Sequence, residues 1–337
     1  METVIKFKGK EYRTKTKITH LTDEEFENIK NEYLQKPPKE EVVEQLKKIH
    51  NGGQQIGKVV DYFLKLVMGE VVCSRSRWCT NDVFRCKQIM EYYYSQTLSN
   101  KKMFNSENTL KNIIKAISIG SEGVARKATN YPIKSVREIL KLYNVNNNYY
   151  DYSCGWASRM LGSLSVGINY YGTDPNYQLT KRLKSIEKAY KQVNNVDTIV
   201  DIRTQGSEHF VPEWENKMGM AFSSPPYFDL EDYKIGDQSI NYGTYDAWLE
   251  KYFKQTILNI KRYLVKDGYF ILNTKDIKEY ALLTDSIKIA ESLGFEIYEI
   301  HELKNITRTH CNPKVDENGK KIFKNNNEKI VVFKQTS

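Results

Sequence analysis

The rhythm of hydrophobic and polar positions changes near residue 149. Before it, apolar residues recur mostly at helical spacing; after it, short apolar runs alternate with helical stretches. The later half predicts strands at Tyr149–Ser153, Asn169–Thr173, Thr198–Ile202, Gly219–Ser223 and Gly268–Asn273. Helices are expected between them, at Arg159–Leu164, Gln178–Val193, Tyr245–Leu264 and Thr284–Leu293. Strands alternating with helices argue for an α/β fold, a mostly parallel sheet with helices on both faces. Glu296–Glu299 and Ile330–Phe333 flank a polar, Asn- and Lys-rich loop and predict a closing antiparallel hairpin.

The first part of the chain reads differently. Thr3 to Thr19 alternates apolar and basic residues around Gly9-Lys10, the pattern of a small hairpin. Thr22-x-x-Glu25 is a capping box opening a helix through about Leu34, which Pro37-Pro38 closes. A second helix spans roughly Glu40 to His50 and ends at Asn51-Gly52-Gly53. From Ile56 to Leu98 the pattern is mostly helical and increasingly basic and aromatic, with Arg75, Arg77, Trp78, Arg85 and Tyr92-Tyr93-Tyr94. Residues 99–130 form a connecting segment with one helix near Leu110–Ser118. Gly120-Ser121-Glu122-Gly123 and Asn130-Tyr131-Pro132 then frame a loop before a helix over Ile133–Tyr143.

Charge sharpens this division. The 337 residues carry a net charge of +9, and all of the excess lies in residues 1–150, with 26 Lys+Arg against 17 Asp+Glu. Residues 151–337 hold 25 of each. Such asymmetry is the footprint of a segment that meets a polyanion, although a solvated lysine-rich surface gives the same count. Arginine beside aromatic rings suits phosphate contact and base stacking, while a tyrosine stripe at this spacing also suits a core. No apolar run approaches the roughly 18 residues of a membrane span, and the first residues lack a signal-peptide layout. Five cysteines (Cys73, Cys79, Cys86, Cys154, Cys311) make no Cys-x-x-Cys pair, so free thiols in a reducing cytoplasm are expected and no metal site is.

Candidate chemistry gathers at strand ends, where open α/β sheets bind ligands. The first strand runs into Asp151-Tyr152-Ser153-Cys154-Gly155-Trp156-Ala157. An acid, a glycine turn and a small residue there let backbone approach a nucleotide-like ligand closely. With no Gly-x-Gly-x-x-Gly and no P-loop lysine, a pyrophosphate is disfavoured. The second strand ends in Asp174-Pro175-Asn176, where a carboxylate can accept from both hydroxyls of a ribose. The third is followed by Gly206-Ser207-Glu208, a wall for an adenine ring. The fourth stops at Ser223-Ser224-Pro225-Pro226-Tyr227. Two prolines end any ladder and hold the backbone extended. Such a stub can present a carbonyl and a hydroxyl to an amino group while the tyrosine ring stacks on a flat heterocycle. A lone Pro-Pro-Tyr also suits an ordinary turn.

With these residues assembled, the chain resembles the S-adenosylmethionine-dependent amino-methyltransferases of DNA, of the stand-alone kind that phages and bacteria carry. Asp151–Ala157 is similar to their cofactor motif, Asp174 to their ribose-binding acid, and Ser224-Pro225-Pro226-Tyr227 to their catalytic motif. Ala157 departs from the pattern, since many members have a second glycine there. The resemblance covers about residues 120–337. It implies a Rossmann-like methyltransferase domain over 101–337, with a seven-stranded sheet, beside a basic, mainly helical recognition region over 1–100. It also implies S-adenosylmethionine bound by Asp151, Ser153, Cys154, Gly155, Asp174, Pro175, Gly206, Ser207, Glu208 and Ser223. Asn130 and Pro132 would sit at its methionine end. Catalysis is assigned to Ser224, Pro225, Pro226 and Tyr227. DNA or base contact is assigned to Arg75, Arg77, Arg85 and Phe228, helped by the loop near His310–Lys324.

The reaction implied is transfer to the exocyclic amine of a base extruded from duplex DNA. The Ser224 hydroxyl and Pro225 carbonyl would accept the amino hydrogens, and Tyr227 would stack on the base. None of the cysteines follows a proline, so the covalent route to cytosine C5 is not expected. A serine at the head of the motif resembles the cytosine-N4 subgroup, with adenine N6 as the alternative. RNA as substrate, and an inactive DNA-binding protein keeping the cofactor fold, are the rival readings. Phe228 and Trp248 could wall the pocket or fill the core, and His209 packs locally.

Overall fold

The computed structural model describes residues 2–73, 76–104, 107–119, 124–277, 279–302, 314–315, 321–322 and 328–335. For residues 302, 314–315 and 321–322 it describes the backbone alone. Arg75, Cys311, the Gly120–Gly123 turn and most of the 310–324 loop lie outside the described residues. The strands of the main sheet are β1 (Asn148–Asp151), β2 (Asn169–Thr173), β3 (Val200–Arg203), β4 (Met218–Ser223), β5 (Leu264–Thr274), β6 (Phe295–Glu302) and β7 (Lys329–Gln335). Their order across the sheet is β3-β2-β1-β4-β5-β7-β6. β1 to β5 pair in parallel, and β7 runs antiparallel between β5 and β6. This is the Rossmann-like α/β sheet with the closing hairpin expected from the pattern. The chain leaves β1 toward one edge and returns at β4 toward the other, so the topological switch point lies between those two strands.

Alternation along the strands sorts the side chains into two faces. Tyr149, Tyr170, Met220, Phe222 and Ile271 point to one face, where helices α1 (Ile133–Tyr143), α2 (Ser158–Leu164) and α3 (Tyr177–Asn194) cover them. Tyr150, Tyr171, Ala221, Phe270 and Leu272 point to the other, under α4 (Lys254–Tyr263) and α5 (Leu282–Ser292). The predicted helix over Tyr245–Leu264 is present as Tyr245–Trp248, a π-helical turn at Leu249–Phe253, then α4.

The N-terminal part divides in a way that the charge pattern does not reveal. The hairpin Thr3–Phe7/Lys10–Thr14 turns at Lys8 and Gly9, both at positive φ (49° and 71°). The Thr22/Glu25 capping box opens the helix Asp23–Leu34 as expected. Ile5, Ile29 and Tyr33 share a separate core with Trp78, Phe84, Tyr92, Tyr93 and Ile113. The helices Lys39–His50 and Gly57–Phe63 belong elsewhere. Val42, Leu46, Ile49, Val59 and Val60 pack into the same core as α1, α3 and the sheet. A cut at residue 100 would therefore pass through shared apolar packing.

Arg137 of α1 secures that seam. It is buried, and its guanidinium donates to the carbonyls of Gly52 and Gly53, each at 2.9 Å, and to that of Ile49. Its Nε donates to Ser165 Oγ at 2.7 Å. The cation thus meets the negative end of the helix Lys39–His50, which suits the helix dipole. Replacing Arg137 with Ala leaves one buried carbonyl and three part-buried acceptors without their donor. Urea unfolding should show a loss of about 2–4 kcal/mol. Arg137→Lys should recover only part of it, because an ammonium cannot span three carbonyls as a planar fork does.

Candidate active site

A crevice of about 670 Å³, partly open to solvent, lies outside the carboxyl ends of β1 to β4. From β1 come Ser153, Gly155 and Trp156; from β2, Asp174 and Pro175; from β3, Gly206, Ser207 and Glu208; from β4, Pro226. The opposite wall is the segment 233–242 with Tyr252, a contribution the strand-end pattern did not reveal. Its signal was the density of Tyr, Asp and Gln after the proline stub, which has no periodicity.

Each strand end is held by contacts that the sequence alone did not show. Asp151 is fully buried, and its carboxylate accepts from Arg159 Nε and the Tyr170 hydroxyl, both at 2.9 Å. Arg159 also donates to the Ser153 carbonyl. Asp151 therefore organises the turn from beneath and does not line the crevice. Cys154 is buried as well, and its backbone N–H donates to the Thr173 carbonyl at 3.1 Å; burial pushes its thiol well above the usual range. Ser223 is buried and donates to the Ser153 carbonyl at 3.2 Å, tying the end of β4 to that of β1. These three expected cofactor contacts are supports of the site. Gly155 takes φ +58°, and Ala157 takes φ +72°, a left-handed conformation in which a glycine is easier. The motif's geometry thus survives the missing glycine.

Three carboxylates line the crevice, Asp174, Glu208 and Asp237. Asp174 is part-exposed there and accepts from the backbone N–H of Asn176 at 3.0 Å. Burial raises its pKa to about 7; the N–H of Asn176 partly offsets this, and the nearby Asp151 adds to it. Glu208 accepts from the Tyr242 hydroxyl at 3.0 Å through Oε1, while its buried Oε2 has no partner. A methyl group on Gly206 would come within 2.1 Å of that carboxylate, so only glycine lets Glu208 lie back over it. Among the described residues, Glu208, His209 and Asp237 are the one grouping with metal-type ligand atoms, within 4.8 Å of one another at the crevice mouth.

The proline stub begins where the crevice ends. The Tyr152 hydroxyl donates to the carbonyls of Ser223 at 2.9 Å and Ile271 at 3.1 Å, pinning the point where β4 leaves the sheet. Ser224 is half-buried and accepts from Asn273 Nδ2 at 2.9 Å. Tyr227 is half-buried; burial, with Glu328 nearby, holds its hydroxyl protonated far above the usual range. Asn130 accepts from Ser158 Oγ at 3.3 Å, and Pro132 caps α1, so both brace the start of two helices.

The expected nucleic-acid contacts fare unevenly. Phe228 is 5% exposed and packs among Tyr245, Trp248 and Tyr280, so it is a core residue, not a base contact. Arg85 forms a two-nitrogen ion pair with Glu70, which occupies the fork a phosphate would need. Tyr92 and Tyr93 are buried and offer no stacking platform. Arg77 is exposed. Trp248 is fully buried, and His209 is largely exposed beside Glu208.

No protein-family model and no curated protein sequence matches the chain. Solved structures do align with it. A TehB-like SAM-dependent methyltransferase from Corynebacterium glutamicum is 14% identical with a TM-score of 0.39, covering 60% of this chain and 87% of its own. A SAM-dependent methyltransferase from Methanosarcina mazei is 11% identical (TM-score 0.40; 62% and 99% covered). The CcbJ methyltransferase from Streptomyces caelestis is 9% identical (TM-score 0.41; 61% and 97% covered). Likeness at this level carries no weight beside the strand order itself.

Asp174 yields a test. Its folded pKa of about 7 lies above the ordinary 3.8, so the folded state holds a proton that the unfolded state has lost between those values. Stability therefore falls as pH rises through that window, and the penalty is complete above pH 7. Asp174→Asn should raise Tm by about 2–6 °C at pH 8 and by clearly less at pH 5, by scanning calorimetry.

Proposed function

We propose that this protein transfers a methyl group from S-adenosylmethionine to the exocyclic amine of a nucleic-acid base, with cytosine N4 in duplex DNA as the target. The observation that carries the reading is continuity. Pro226 belongs both to the wall of the crevice and to the rigid Ser-Pro-Pro-Tyr stub, so a ligand filling the crevice would end against that stub.

The donors and acceptors fit the cofactor. Asp174 in its ionised form would accept from the two ribose hydroxyls, and the unpartnered Glu208 Oε2 would accept from the adenine amino group. The turn held by Arg159 leaves Ser153 and Gly155 open toward the methionine part. When bound, the cofactor supplies a methyl carbon on a positively charged sulfur. The chain's own residues align the amine and exclude water. Tyr227, with its hydroxyl end buried, offers a ring to the base. Pro225 would offer its carbonyl to an amino hydrogen from a backbone that the two prolines hold extended. The Ser-Pro-Pro-Tyr stub would hold the amine nitrogen in line with that methyl group, and the surplus amine proton would be lost once the methylated base leaves the pocket. Alignment in a dry pocket accounts for most of the acceleration. The basic first part of the chain supports a polyanionic substrate, with Arg77 among its exposed cations.

The protein incubated with methyl-labelled S-adenosylmethionine and unmodified duplex DNA should yield N4-methylcytosine on nucleoside analysis. Label in N6-methyladenine would move the target to adenine, and label only in RNA or protein would overturn the DNA assignment. Tyr227→Ala should lower kcat by at least about tenfold, from lost stacking, with cofactor affinity changed less than about threefold. Cofactor affinity should also weaken as pH falls below about 7, as Asp174 takes up a proton; titration calorimetry across pH 6–8 reads this directly.

A further inference from the structure

The reading above leaves one polarity open. Ser224 can accept a hydrogen from the target amine, or it can donate its own. The surroundings of Asn273 decide between them. Asn273 is the last residue but one of β5, next to the stub, and is 1% exposed, so water does not complete its bonding. Its Nδ2 donates one hydrogen to Ser224 Oγ at 2.9 Å and the other to Glu328 Oε2 at 3.1 Å. Its Oδ1 accepts from the Tyr131 hydroxyl at 3.4 Å. A carboxylate can only accept, so Glu328 forces the nitrogen end of the amide toward itself and therefore toward Ser224. The flipped amide would set Oδ1 against the Glu328 oxygen, two acceptors with no hydrogen between them, whereas the hydroxyls of Ser224 and Tyr131 could adapt to either orientation.

With one lone pair of Ser224 Oγ filled by Asn273, its proton is turned away from the amide and toward the stub's open side. The reading edge is then a hydroxyl donor beside the Pro225 carbonyl acceptor. Cytosine and adenine each carry, next to the amine, an unprotonated ring nitrogen: N3 beside N4, or N1 beside N6. A donor and an acceptor side by side match that pair, and they mismatch thymine or guanine, which carry a carbonyl where the amine would be.

Resting on the methyltransferase reading, we propose that Ser224 donates to the ring nitrogen next to the target amine. Asn273, oriented by Glu328, is the positioning residue that imposes this polarity. The amino hydrogen falls to the Pro225 carbonyl alone. Glu328 is separated from the base by an amide that cannot pass a proton on, so it orients and does not act as a base.

The test replaces one atom of the substrate. Duplexes carrying the modified site, first located by sequencing DNA that the wild-type protein has methylated, are made with the target as 3-deazacytosine, or 1-deazaadenine if adenine is the target. In each analogue C–H stands where the ring nitrogen was. Wild-type single-turnover methylation should slow by about 10–100-fold on the analogue relative to Ser224→Ala, whose rates on the two duplexes should differ by less than about threefold. Asn273→Leu should shrink the wild-type sensitivity to the analogue toward that of Ser224→Ala, because the amide donor that turns the serine proton outward is gone, whereas cofactor affinity, which reports folding, stays within about threefold of wild type. Equal sensitivity to the analogue in wild type and Ser224→Ala would overturn the proposal while leaving the methyltransferase reading intact. Failure of the wild type to methylate any nucleic-acid base would overturn both.

Discussion

The buried pair of Asp151 and Arg159 is the constraint from which the rest of the site follows. Asp151 ends β1 with no exposure, and Arg159 reaches back from α2 to meet it at 2.9 Å. Removing two charges from water is costly, and such a pair is tolerated only when further hydrogen bonds complete it. Here they do. Tyr170 and the Ser153 backbone saturate the carboxylate, and the Ser153 carbonyl takes another guanidinium hydrogen. Because Asp151 and Arg159 are eight residues apart, satisfying both requires the chain to fold into one tight turn. Gly155 and Ala157 adopt positive φ within it.

That turn hands its geometry to the neighbouring strand ends through hydroxyls. Ser223 bonds the Ser153 carbonyl, and Tyr152 reaches the carbonyls of Ser223 and Ile271. Core tyrosines are unusually frequent in this sheet, and several use their polar end in this way. Tyr149 donates to the Phe222 carbonyl at 2.8 Å, and Tyr150 meets Thr173 Oγ1 at 2.9 Å. A phenylalanine sheet would pack as well but would leave the ends of β1, β4 and β5 free to splay. The crevice then keeps two acceptors in poor company. Asp174 is raised by burial, and Glu208 holds an oxygen with no donor. Both cost stability, and a ligand rich in hydroxyl and amino donors would relieve them.

The N-terminal part contributes to the same body in two distinct ways. Its helices Lys39–His50 and Gly57–Phe63 extend the core on one face of the sheet, fastened by Arg137. Val72–Cys73 pairs antiparallel with Glu231–Asp232 just beyond the proline stub, so the segment following the motif is tied to the N-terminal body. Several of the basic residues behind the charge asymmetry are bonded within this part, as Lys8 is to Asp82 and Lys87 to Asp23.

The sequence by itself determined the alternation of strand and helix, the closing hairpin, the Thr22 capping box and the place of each polar strand end. These depend on local matters, namely the period of burial, turn chemistry and proline. Ser153, Gly155, Asp174, Pro175, Gly206, Ser207, Glu208 and Pro226 were legible because ligands gather where parallel strands stop. Tertiary structure alone decided which of the polar strand-end residues line the crevice and which brace it. Asp151, Cys154 and Ser223 point inward because partners from other elements capture them, and Phe228 is buried by rings more than fifteen residues away. The same holds for the segment 233–242 and for the bond between Asn273 and Ser224, which are 49 positions apart. Periodicity reports how deep a residue lies and on which face, but a hydrogen bond between distant elements leaves no trace in spacing.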